Sequence, residues 1–203
     1  MAETSSVKSY FKRCFEKKLL IEKAIIAAIA LIVVLAFSLS FYCWLKNKSG
    51  IVGDENKFWY ITIVHNHGVG FGNLDGKTGA VYAIQSVMFI VLLAIFLFVT
   101  NDRITASFVA LAMFGGIFNL IQRAATPADS LGKYVLDYFQ FGFWKSFPVF
   151  NWPDMFVVIG IFGFVISYIA LLVIQYTREK NIEDSKPSSS TEEVKQPQNN
   201  EIR

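Results

Sequence analysis

Apolar residues in this chain gather into four long windows instead of the short alternating runs of a soluble domain. The windows are 24–45, 80–99, 104–122 and 155–176, and none contains a charged side chain. Each reaches the length of about 20 residues that a helix needs to cross a bilayer core, at roughly 1.5 Å per residue. Helix is required, because a lone strand in lipid leaves its backbone groups unpaired. The third window is the weakest, since Gly115, Gly116, Asn119 and Gln122 dilute its second half. The first window is not a cleaved signal peptide: its apolar core is far longer than the roughly 7–15 residues of such a segment, and Phe41-Tyr42-Cys43-Trp44 is bulky where a peptidase needs small residues. The pattern predicts an α-helical integral membrane protein with four transmembrane helices.

The polar intervals predict a small β-rich cradle beside the helices. Phe58-Trp59-Tyr60-Ile61-Thr62-Ile63-Val64 is aromatic and β-branched, which reads as a strand. It leads into Asn66-His67-Gly68-Val69-Gly70-Phe71-Gly72, where three glycines at alternate positions permit positive φ or close backbone approach. A strand with such a turn suits an extended peptide; a plain hairpin is the simpler reading. In the other long interval, Asp137 and Asp154 enclose 16 residues of which eight are aromatic, the density of a segment lying among lipid headgroups.

Composition narrows the class. Of 203 residues 54% are hydrophobic and 17% charged, below the roughly 25% charge of soluble domains. A soluble enzyme, a disordered chain and a disulfide-stapled secreted module are excluded. A net charge of +3 gives no footprint for nucleic acid. Twelve of the nineteen Lys and Arg residues fall before the first window, after the fourth, or at Arg103 between the second and third. Both termini are therefore expected in the cytoplasm and both long intervals outside. The expected organisation is a basic cytoplasmic segment 1–23, a four-helix transmembrane domain 24–177, and a Ser-, Gln- and Pro-rich disordered cytoplasmic tail 178–203. Cys14 and Cys43 stand at opposite ends of the first window, so no disulfide joins them.

Asp137 and Asp154 are the candidate chemistry. A carboxyl group against an aromatic wall loses water, so its charged form is disfavoured. Two such groups at one membrane face can share a proton, one activating water and the other protonating a carbonyl or leaving amine. The simpler readings are a helix cap for Asp154, which follows Pro153 at the start of the fourth window, and an incidental loop acid for Asp137.

Four blocks carry a family resemblance. Asn66-x-Gly68-x-Gly70-Phe71 resembles N-x-G-[AG]-[AG]-F, and Val135-x-Asp137-Tyr138 resembles V-x-D-[FY]. Gly115-Gly116-x-x-Asn119-x-x-x-Arg123 is similar to G-G-x-x-G-N-x-x-D-R with one residue fewer before the Asn, and Phe147-Pro148-Val149-Phe150-Asn151-x-x-Asp154 resembles F-P-x-F-N-x-A-D. In this order they resemble the lipoprotein signal peptidases, the type II signal peptidases, a family of membrane aspartic proteases. The resemblance covers 24–177. It implies Asp137 and Asp154 as the catalytic pair, with Asn66, Gly68, Asn119, Arg123 and Asn151 orienting carboxylates and substrate backbone. It implies hydrolysis N-terminal to a diacylglyceryl-modified Cys of a prolipoprotein, at the outer face of a bacterial plasma membrane, with membrane lipid as partner and no cofactor or metal. Departures are Gln122 for the block's Asp, Phe118 for its Gly, Pro153 and Met155 beside the second acid, and only Lys46 left of the D-Q-x-x-K motif after the first helix.

Other classes fit less well. His65 and His67 share one strand face, but no third metal ligand accompanies them in sequence, so they read as polar residues at a sheet edge. No G-x-S-x-G marks a serine hydrolase, and the spans lack the ionisable residues of a transporter. The remaining alternative is a catalytically inactive lipopeptide-binding relative of the same fold.

Overall fold

The computed structural model describes residues 15–70, 73–74 and 76–184. Lys8, Lys12, Arg13 and Cys14, and the polar stretch 185–203, lie outside the described residues. Four helices are present among them: α1 (Lys17–Leu45), α2 (Thr78–Phe98), α3 (Arg103–Ala125) and α4 (Trp152–Asp184). Each is long and apolar enough to cross a membrane. Two boundaries differ most from the windows. α1 takes in Lys17–Lys23, which the sequence places in the basic segment, and α4 continues through 178–184, which it places in the tail. Arg178, Glu179 and Lys180 are strong helix formers, and hydropathy alone does not register them. Residues up to Tyr168 form one compact unit; from Ile169 the end of α4 stands as a second.

α3 is the inner helix. Half of its most apolar window is buried, against at most 17% in the other three. That explains its weak hydropathy: Asn119, Gln122 and Arg123 are buried within protein and avoid lipid. Phe118, at the family's Gly position, packs with Val34 of α1 and Phe156 of α4. Ile29, Ile32, Val87, Ile90, Phe162 and Ile166 are exposed, the apolar surface a bilayer would cover.

Small residues let α3 and α4 meet backbone to backbone. A Cβ added at Gly115 would stand 2.6 Å from the Pro153 carbonyl oxygen, and one at Gly160 would stand 2.5 Å from that of Phe108. One turn beyond Gly115, this brings Asn119 against the start of α4.

Polar contacts pin the end of the bundle remote from the sheet. Asp102 caps α3 by accepting the Thr105 N–H at 2.8 Å. Arg103 donates to Glu22 of α1 from Nε at 3.1 Å and Nη2 at 2.7 Å. The buried Lys23 ammonium donates to the Leu97 carbonyl at the end of α2, 2.8 Å away.

The opposite end carries an antiparallel sheet in the order β1 (Gly50–Val52), β2 (Trp59–Asn66), β3 (Val135–Phe141). β2 is the predicted strand, two residues longer at its C-terminal end. β3 is buried over five consecutive residues, 135–139, so no alternation betrays it in sequence. Val64 pairs with Asp137 and Asn66 with Val135, past a register shift between Ile61 and Val64. Phe139 and Phe150 then exchange hydrogen bonds at 2.8 and 3.0 Å, which lays Asn151 and the start of α4 beside β3. Tyr138 secures the corner: Phe41 stacks on its ring, and its hydroxyl accepts the Trp152 N–H at 3.2 Å.

Candidate active site

Asp137 lies on β3 with 2% of its surface exposed. Two amides hold its carboxylate: Asn66 Nδ2 donates to Oδ2 at 2.8 Å, and Asn151 Nδ2 to Oδ1 at 2.7 Å. Asp154 sits at the third position of α4 and is held by neighbours on two elements. Asn119 Nδ2 donates to its Oδ1 at 2.7 Å, and the Asn151 backbone N–H to its Oδ2 at 3.1 Å. Asn151 therefore touches both acids, and it also donates to Asn119 Oδ1 at 3.1 Å. The sheet register, the α3–α4 seam and the cap of α4 converge on one network.

Arg123 and Gly68 enter this network indirectly. The Arg123 guanidinium is 1% exposed. It donates to Gln85 Oε1 at 2.8 Å from Nη1, and from Nη2 to the carbonyls of Asn66 at 3.0 Å and Gly68 at 2.7 Å. None of these three bonds reaches a carboxylate; the fork instead fixes the turn that presents Asn66 to Asp137. The Gly68 N–H donates to Asn66 Oδ1 at 2.9 Å, which orients the amide so that its NH2 faces the acid. Among the described glycines positive φ occurs at Gly50, Gly53, Gly76 and Gly132, and Gly70 of the block does not adopt it, so left-handed backbone is not what that position requires.

Both acids border a cleft of about 610 Å³. Met88, Gly116, Val157 and Val158 line it along the helices, and His65 and His67 line it at the sheet. A polar recess of about 40 Å³ is bordered by Asp137, Asp154, Asn119 and Arg123. That is room for a water molecule with several hydrogen-bonding partners. Burial pushes the Asp137 carboxyl well above the usual carboxylate range, and the negative charge of Asp154 pushes it further. The Asn66 amide, the Arg123 charge and the Asn151 amide offset only part of this.

Three features here escape the sequence. Gln85 is a visible polar residue in an apolar window, but nothing in its own span names Arg123 as partner. The Tyr138 hydroxyl on the α4 backbone has no local signal. His65 and His67 both meet Asp129, more than sixty positions away, instead of ending at an open sheet edge. Among the described residues, no group of three or more His, Cys, Asp or Glu has the arrangement of a metal site.

Fold and site define a four-span membrane protein with a paired-carboxylate cleft at the sheet-bearing end of its helices. The sequence model of the family described as signal peptidase (SPase) II matches residues 29–170. A lipoprotein signal peptidase of Malacoplasma penetrans (strain HF-2) is 33% identical over 179 residues, covering 81% of this chain and 74% of the relative. One from Mycoplasmoides gallisepticum (strain R(low / passage 15 / clone 2)) is 34% identical over 115 residues, 54% of this chain and 37% of the relative. A solved bacterial membrane enzyme, determined by the in meso method at 2.3 Å resolution, superposes with a TM-score of 0.58. It is 21% identical and is covered over 94% of its chain and 83% of this one, a likeness of fold. The chain belongs to the signal peptidase II family, a family of membrane-embedded proteases.

Proposed function

We propose that this protein is an aspartic endopeptidase that removes signal peptides from prolipoproteins, with Asp137 and Asp154 as its catalytic pair. The bond cut is the one N-terminal to a Cys bearing a diacylglyceryl group. The observation that carries this reading is Asn151, which hydrogen-bonds both acids in one cleft.

The chemistry follows from the environment of each acid. Burial and the neighbouring charge favour a proton on Asp137, leaving Asp154 as the base. Asp154 takes a proton from water as the water oxygen attacks the scissile carbonyl carbon. Asp137 gives its proton to the carbonyl oxygen, forming a neutral tetrahedral diol. Collapse of the diol breaks the C–N bond: the leaving nitrogen takes the proton held by Asp154, and a diol hydroxyl returns one to Asp137. The products are a signal peptide with a new carboxyl terminus and a lipoprotein whose lipidated Cys has a free amino group. These steps use protein groups and water alone.

Asn66, Asn119 and Asn151 orient the carboxylates without adding competing charge. Arg123 and Gly68 position Asn66 through the turn. The apolar wall of Met88, Val157 and Val158 suits the lipid and the end of the signal peptide. Lys17, Lys18, Lys23 and Arg103 at the remote end of the bundle support the reading that this end is cytoplasmic, with both termini inside and the cleft facing outward. The inactive binding relative loses its ground, because both acids and the amides that hold them are in place.

The test is mass spectrometry of a diacylated precursor incubated with purified protein in lipid. The expected product is a fragment whose first residue is the lipidated Cys. An uncut but bound precursor contradicts the proposal.

A further inference from the structure

His65 and His67 flank Asn66, the last residue of β2, and one carboxylate receives both imidazoles. His65 Nδ1 lies 3.0 Å from Asp129 Oδ2, and His67 Nε2 lies 2.8 Å from Asp129 Oδ1. Asp129 is itself fixed. It exchanges backbone hydrogen bonds with Gly132 at 3.0 and 3.2 Å and accepts the Leu131 N–H on Oδ1 at 2.9 Å. Desolvation alone would raise its pKa, but the Leu131 N–H and the two imidazoles outweigh it and hold the carboxyl at about 2. It is therefore an anion that only accepts hydrogen bonds.

This partner decides what His65 can offer. In the tautomer that donates its Nδ1–H to the Asp129 carboxylate, His65 carries a lone pair at Nε2. The ring is held on a second side, because it stacks on Tyr134 with centroids 3.7 Å apart and planes 10° apart. Among the described residues no hydrogen bond engages Nε2, while the side chain remains 43% exposed at the cleft wall. The cleft is graded: Met88, Gly116 and Val158 line its apolar length along the helices, and the imidazoles border the sheet end.

We infer that His65 Nε2 accepts a hydrogen bond from the backbone N–H of the residue following the lipidated Cys. The His65–Asp129–His67 cluster is then the subsite for the mature side of the substrate. The inference rests on the peptidase reading above. With the lipid and the signal peptide at the apolar depth of the cleft, the chain leaving toward water is the mature sequence, and it passes the polar wall. A peptide N–H drawn from water into a half-enclosed cleft needs an acceptor.

The experiment uses two synthetic diacylated precursors that differ in one atom group: glycine or sarcosine after the Cys, so that the second lacks the N–H. The purified full chain in lipid micelles should cut the glycine precursor about fivefold better in kcat/KM, the worth of one hydrogen bond. In His65→Phe that ratio should fall to about 1, while His65→Gln, which keeps an acceptor, should retain part of it. A ratio of rates does not depend on the fraction of folded enzyme. Equal cleavage of both precursors by the unmutated protein overturns the inference, and so does an unchanged ratio in His65→Phe. Either result leaves the peptidase reading standing; failure to cut the glycine precursor defeats that reading itself.

Discussion

Asn151 and Asp154 hydrogen-bond to each other twice. The Asp154 amide donates to Asn151 Oδ1 at 2.9 Å, and the Asn151 amide donates to Asp154 Oδ2 at 3.1 Å. This is a reciprocal capping box at the start of α4. The helix-cap reading and the catalytic reading of Asp154 are therefore one geometry. Asn151 uses its remaining NH2 on Asp137 and Asn119, so the cap that starts the helix also sets the spacing of the pair.

Substitutions at Asp154 should separate the two roles. Asp154→Ala removes the cap acceptor and is expected to lower stability by about 1 kcal/mol. Asp154→Asn keeps an oxygen for the Asn151 N–H and should lose less. Both variants should lose at least about a hundredfold in cleavage rate. Thermal unfolding in detergent, read beside activity, checks the split; activity that followed stability would remove the catalytic role.

The pH dependence has a definite sign. A carboxyl whose pKa is raised on folding opposes folding at any pH above its ordinary value, here 3.8. The cost is absent in acid and grows until the pH passes the raised value. The unfolding temperature should therefore carry a decline from about pH 4 upward that Asp137→Asn flattens. In cleavage, loss of the proton favoured on Asp137 should set the alkaline limb of a bell-shaped profile, above the ordinary carboxylate range. An alkaline limb near pH 4 would contradict this environment.

Adjacent glycines on α3 should respond oppositely. Gly115→Ala drives a Cβ to 2.6 Å from the Pro153 carbonyl and should cost about 1–3 kcal/mol, with lost activity as Asn119 parts from Asp154. A Cβ at Gly116 meets only Val157 Cγ2 at 4.0 Å. Gly116→Ala should be neutral, or more stable by up to about 1 kcal/mol from helix propensity. Melting temperatures of the two variants decide it.

Gln85 should act on cleavage through Arg123, whose Nη1–H it accepts at 2.8 Å. Gln85→Leu leaves a buried Arg123 N–H unpaired, at a cost of about 1–3 kcal/mol. Arg123→Lys replaces a planar fork by a point of charge and should loosen the Asn66–Gly68 turn. Both variants should lower kcat/KM about tenfold or more while the protein remains folded by size-exclusion chromatography. Unchanged kinetics would show that the turn holds without them.

How far the sequence reveals this arrangement depends on where each signal lies. The four helices are legible because lipid demands a continuous apolar run, and the acids because they stand among aromatic residues next to such runs. β3 is hidden because burial on both faces erases alternation. The partnership of His65 and His67 with Asp129 is hidden because it spans elements, and strand periodicity sees only the shared face. Arg123 is legible as a motif residue, but its partners are not: the Gln85 side chain and two backbone carbonyls are brought to it by the fold. The extension of α4 past Tyr176 is carried by helix propensity, which a hydropathy window does not weigh.

The most direct measurement is cleavage of one lipidated precursor by Asp137→Asn and Asp154→Asn, each purified, folded and reconstituted separately. Loss of at least about a hundredfold in kcat for both is the predicted result. Near-normal cleavage by either variant would mean that the bond is broken without the paired carboxyl groups.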